Sequence, residues 1–147
     1  MIQRIQTVYM LVSAVLLGLL FALPFADVAF NGEFYRFDIR GMVLQNTVLQ
    51  SGLPVALFTG LIVLLHLAAI LLYKKRILQI RLLIFSILLM LGLFGLFYFF
   101  TCYSFRQAEI SFRIAVAFPL VAVILDYLAI RNIGKDEALV RSIDRIR

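Results

Sequence analysis

Four apolar blocks, at about residues 8–26, 53–73, 82–100 and 112–130, make up most of the 147-residue chain. A helix needs about 20 apolar residues to cross the ~30 Å hydrocarbon core of a bilayer, and each block supplies roughly that. Hydrophobic residues account for 64% of the chain and charged residues for 15%; a soluble domain has roughly 45–50% and 25%. The pattern predicts an all-α fold, a four-helix transmembrane bundle that forms one domain over residues 1–147 and leaves no room for a separate soluble unit. The first block follows Arg4 as a signal peptide would. It is long for one, and no small-residue cleavage site follows Pro24, so the reading is an uncleaved helix.

Charge gives the bundle a direction. One set of flanks holds Arg4, then Lys74, Lys75, Arg76 and Arg81, then Arg131, Lys135, Arg141, Arg145 and Arg147. With Asp136, Glu137 and Asp144 this side carries a net +7. The opposite flanks hold Arg36, Arg40, Arg106 and Arg113, balanced by Asp27, Glu33, Asp38 and Glu109. Cytoplasmic loops of membrane proteins carry the excess of Lys and Arg, so both termini are expected in the cytoplasm. The basic balance is thereby assigned to topology, and no nucleic-acid partner is expected.

The first outer loop contains Val28-Ala29-Phe30, Asn31-Gly32 and Glu33-Phe34-Tyr35-Arg36-Phe37. Asn-Gly between two apolar-rich runs predicts a small β-hairpin, because both residues tolerate positive φ in a type I′ turn. The second outer loop runs from about Thr101 to Ser111. Phe25, Phe30, Tyr98, Phe99, Phe100, Tyr103, Phe105 and Phe112 crowd this boundary and read as an interfacial belt or as a lipid or partner groove.

Candidate chemistry is sparse. Asp126 lies five positions before Arg131, so it sits ~6–8 Å inside the cytoplasmic boundary. Ala115, Pro119, Ala122, Asp126 and Ala129 share one helix face, and small residues let helices approach, which places Asp126 inside the bundle. His66 shares its face with Thr59, Ile62, Ala69 and Tyr73. Ser13 and Ser86 lie at comparable depth, so Ser13, His66, Ser86 and Asp126 are expected to form one polar layer. That layer is either a protonatable site, since His titrates near neutrality and burial shifts Asp, or hydrogen-bonded glue between helices. In the second case Asp126 pairs with His66 or with a cation such as Arg81.

Lys74, Lys75, Arg76 and Arg81 form a short basic loop that sets topology and could hold anionic lipid head groups. After Gly134, Leu139, Ile143 and Ile146 recur at helical spacing, with Arg141 and Arg145 on the polar side. This predicts an amphipathic cytoplasmic tail over residues 135–147, able to lie on the membrane or to dock a protein partner. One cysteine, Cys102, and one histidine exclude a disulfide within the chain and an ordinary metal site. No phosphate-binding, dinucleotide or hydrolase motif occurs, so neither a cofactor nor a catalytic residue is expected.

Both ends of the chain carry distinctive strings: Met1-Ile2-Gln3-Arg4-Ile5-Gln6-Thr7, Ala129-Ile130-Arg131, Lys135-Asp136-Glu137 and Val140-Arg141-Ser142-Ile143-Asp144-Arg145-Ile146-Arg147. With Tyr73-Lys74-Lys75-Arg76 and Gln79-Ile80-Arg81, the chain resembles the bacterial inner-membrane family catalogued as domain of unknown function 4293. The resemblance implies a four-helix integral protein and no activity. The expected role is an accessory or scaffold subunit of a larger membrane assembly. Alternatives are a small transporter or proton-coupled channel using Asp126 and His66, and a lipid-binding protein.

Overall fold

The computed structural model describes residues 2–45, 47–103 and 108–144, with side chains described from residue 5 to residue 140 within those stretches. Helix α1 is Ile2–Leu19, α2 Leu53–Leu71, α3 Arg76–Tyr98 and α4 Phe118–Asp144. Each buries one narrow stripe at alternating spacings of four and three residues. In α1 the stripe is Gln6, Met10, Ser13 and Leu17, continued by Leu20 in the turn that follows; in α2 it is Val55, Thr59, Ile62, His66 and Ala69. In α3 it is Gln79, Leu83, Ser86, Met90, Leu93 and Phe97. In α4 the stripe contains Ala122, Asp126, Ala129 and Ile133. That spacing is the seam of a left-handed helix bundle. α1 packs on α2 and α4, and α3 packs on the same two, so α2 and α4 face each other across the diagonal.

The other helix faces are apolar and exposed: Leu57, Leu64, Leu71, Leu88, Leu91 and Ile124 are all more than half accessible. A surface of leucines around a core holding Ser, His and Asp reverses the arrangement of a water-soluble domain. Three helical segments, Leu53–Leu71, Arg76–Tyr103 and Ile114–Val140, are long and apolar enough to cross a membrane. Among the described residues the apolar part of α1, Ile5–Leu19, is shorter, so the span expected from the first block is not one of these three.

The end of the bundle opposite the basic residues is closed by an antiparallel five-stranded sheet of order β4-β3-β2-β1-β5. Its strands are β1 Ala26–Phe30, β2 Glu33–Asp38, β3 Gly41–Leu44, β4 Thr47–Ser51 and β5 Glu109–Phe112. The β1–β2 hairpin has Phe30 opposite Glu33, and its turn residues Asn31 and Gly32 have φ of 52° and 82°. The sheet corrects the expected all-α architecture: the hairpin is the centre of a sheet, not an isolated appendage. A lone hairpin is marginal in water, and here β3 and β5 pair with its two outer edges. Beneath it, Phe25, Phe37, Phe97 and Phe100 form a buried aromatic cluster, with Phe25–Phe97 centroids 4.8 Å apart and Phe37 stacked on Phe100 at 5.2 Å. Phe25 and Phe100 are therefore core, whereas Tyr98, Phe99, Tyr103 and Phe112 stay exposed as a belt would.

The helix boundaries also differ from the expected ones, for local reasons. α1 starts at Ile2 and α3 at Arg76, because Gln, Arg and Thr extend a helix that an apolar window truncates. The fourth block opens as β5, passes through a 3₁₀ turn at Ile114–Ala117 and becomes α-helical at Phe118. This puts Pro119 in the first turn, where its missing N–H costs nothing. α4 then runs unbroken through Gly134 to Asp144, so the expected separate tail is its continuation; residues 145–147 lie outside the described residues.

Candidate functional site

The polar layer separates two apolar clusters. The smaller, at the basic end, contains Met10, Ala69, Leu83 and Ala129. The larger contains Leu17, Ile62, Met90 and Ala122. Between these two sets, one stripe position along each helix, stand Ser13, His66, Ser86 and Asp126, all fully buried.

His66 Nε2 lies 3.0 Å from both Asp126 carboxyl oxygens, and Nδ1 lies 2.8 Å from the Ile62 carbonyl. A carbonyl only accepts, so Nδ1 carries a hydrogen and donates to Ile62. The Nε2–Asp126 bond then holds one proton in either of two ways, as imidazolium with carboxylate or as imidazole with carboxylic acid. Both states are neutral overall, which is how a pair of titratable groups is accommodated in an apolar interior. The pair joins α2 to α4 across the bundle diagonal. Arg81 is not its partner; that residue lines a surface cavity at the basic end. The Ser13 hydroxyl donates weakly to the Ala122 carbonyl at 3.4 Å. The Ser86 and Thr59 hydroxyls are buried with no hydrogen-bond partner among the described residues.

At the basic end the predicted cations divide between two settings. Lys74 and Lys75 lie in the turn after α2, with the Lys74 ammonium 5.8 Å from the Tyr73 ring centroid. Arg76 and Arg81 are on α3, not in a loop. All four line one cavity of about 560 Å³ with Glu137 and Val140. The Arg141 side chain and Arg145 lie outside the described residues.

Several contacts were not legible in advance. Gln6 donates to Asp136 at 2.6 Å, tying the start of α1 to the end of α4. Gln79 donates to the Ala69 carbonyl at 3.0 Å, satisfying an acceptor in the last turn of α2 that has no helical partner of its own. At the sheet end Arg113 pairs with Asp27 at 2.6 Å, fastening β5 to β1. Gly41, with φ of +117°, and Gly52 press backbone against backbone: a Cβ at Gly41 would strike the Gln50 carbonyl, and one at Gly52 the Gly41 amide. The contact between the two glycines is a tertiary one that no local pattern announces.

An apolar outer surface, a seam-packed bundle and an internal polar layer define a small helical protein of membrane-spanning composition capped by a sheet. The chain belongs to the family described as Domain of unknown function (DUF4293), which it matches over residues 2–146. No curated protein and no solved structure matches the chain.

Proposed function

We propose that this chain is a non-enzymatic, multi-pass protein of the bacterial inner membrane, with both termini cytoplasmic, serving as an accessory or scaffold subunit of a larger membrane assembly. The observation that carries this reading is the closure of the polar layer. His66 and Asp126 are fully buried and satisfy each other, and the cavities at the two ends of the bundle are lined by other residues. A transport site needs access from both sides. Here the titratable pair works instead as a strut between diagonal helices. The membrane placement is supported by the exposed leucine faces, and the orientation by the clustering of cations at one end. α1 packs along α2 and α4, so all four helices share one depth.

Two experiments test this. The chain is purified from cells at native level in gentle detergent, beside Asp126→Asn and a Leu139→Lys/Val140→Lys variant of the exposed end of α4. A stoichiometric partner retained by D126N and lost with the surface variant is expected. Proton flux through proteoliposomes that D126N abolishes would overturn the scaffold reading in favour of a proton-coupled one. Orientation is read with Cys102, the single cysteine, next to the sheet. An impermeant maleimide should label it in intact spheroplasts. In a C102S background, Lys135→Cys should react only after lysis.

A further inference from the structure

Two cavities meet at Arg76. One, of about 320 Å³, lies between the start of α1 and the α2–α3 turn, with Val8, Leu11, Tyr73 and Gln79 in its wall. The other is the basic cavity of Lys74, Lys75 and Arg81, where Glu137 is the one acid among the described lining residues. Arg76 lines both. Its Nη1 is buried and has no hydrogen-bond partner among the described residues. α3 begins at this residue with no acidic side chain in its first turn, so the positive end of the helix dipole reinforces the cations. A guanidinium at a helix start, lining both cavities among three further cations, matches a phosphate in charge. The first cavity adds a second requirement. Val8 and Leu11 are 54% and 53% exposed, so it opens sideways onto the apolar flank of the bundle.

We propose that an anionic phospholipid occupies this pair of cavities, its phosphate on Arg76 among Lys74, Lys75 and Arg81, and its acyl chain along Val8 and Leu11. A soluble anion would use the basic cavity alone; the apolar wall selects an amphiphile. The proposal rests on the membrane placement above and is separable from the scaffold role.

The chain contains no tryptophan, so Tyr73→Trp places a single reporter in the first cavity. In lipid nanodiscs, quenching by acyl-brominated phosphatidylglycerol is compared with quenching by phosphatidylcholine brominated alike. Half-maximal quenching by the anionic lipid is expected at about tenfold lower mole fraction, the weight of one charge-assisted hydrogen bond. Arg76→Gln in the reporter background should merge the two curves with helicity unchanged by circular dichroism, whereas Arg36→Gln at the sheet end should leave the preference intact. Equal quenching by both lipids in the unaltered site would overturn the proposal. Equal quenching with an emission shift on adding glycerol 3-phosphate would assign the cavity to a soluble anion, also against it. No quenching by either lipid would remove the membrane placement itself.

Discussion

At the sheet end, Phe25, Phe37, Phe97 and Phe100 pack ring against ring beneath a continuous backbone ladder. At the basic end the same four helices meet through Met10, Ala69, Leu83, Ala129 and Ile133. That end is fastened by individual side-chain bonds, Gln6 to Asp136 and Gln79 to Ala69. One half is held by large rings and strand pairing. The other is held by a smaller cluster, in which Ala69 and Ala129 let helices close in, plus polar contacts between individual side chains. The difference follows from what each half has available. In a lipid environment, helix contact gains from close packing and hydrogen bonds more than from apolar burial. The sheet end, carrying paired strands and charge-balanced loops, can use the hydrophobic effect in full.

The comparison can be broken by substitution, starting where the effect is largest. Phe37→Ala removes the ring shared by three aromatic contacts and is expected to cost about 3–5 kcal/mol, read as a drop in the thermal midpoint in detergent; a loss below about 1 kcal/mol would show the aromatic cluster to be peripheral. Gly41→Ala forces a Cβ into a left-handed backbone position against the Gln50 carbonyl, at about 3 kcal/mol, and should release protease-sensitive sites in β3 and β4 before the helices unfold. At the polar layer, Asp126→Leu alone should cost about 2 kcal/mol, since His66 Nε2 loses its partner. The H66L/D126L double variant should recover most of that loss. A double variant as unstable as the sum of the singles would mean the pair does more than satisfy itself.

Smaller effects sharpen the picture at the surface. Arg113→Gln should cost under about 1 kcal/mol, because its pair with Asp27 is half-exposed and screened. Its effect should appear as faster amide exchange at β5, and not as global unfolding. Smallest is Tyr35, whose hydroxyl donates to Glu33 at 2.9 Å. That hydrogen bond, with minor help from partial burial and the Glu33 charge, holds the phenol above the ordinary tyrosine value. The bond's contribution is intact at neutral pH and is lost as pH rises through the raised value. Glu33→Gln should bring the tyrosine ring-carbon titration back down, followed by NMR.

Sequence alone revealed the helices well because each apolar run is long, and it revealed the inward face of α4 because Ala115, Ala122 and Ala129 repeat with Asp126. All four are buried as that spacing requires. It revealed the β1–β2 turn because Asn31-Gly32 is a local signal. The remaining strands were hidden for physical reasons. β3 and β4 are short and joined around Gln45, which takes φ of 45° without being a turn-type residue. β5 is four residues long and, among the described residues, pairs with a strand some eighty positions earlier, so nothing near it announces pairing. At the site, the sequence placed four polar residues at one depth, but not which would bond. His66 reaching Asp126 across the diagonal depends on which helices are neighbours, a property of the assembled bundle. Gln6 and Gln79 carry no signal of their own in the sequence, since an uncharged amide says nothing until its partner is known, and Asp136 counts there only toward the charge balance.

The order of the sheet has a consequence for how the protein is made. β1 is paired on one edge by β2, which follows it immediately in the chain, and on the other by β5, which arrives only after α2 and α3. A chain that stops before Glu109 lacks β5 and leaves the free side of β1 unpaired, the kind of edge that recruits foreign strands. Pairing of β5 with β1 therefore cannot form until α2 and α3 have been made, so the sheet ties its first hairpin to the last third of the chain.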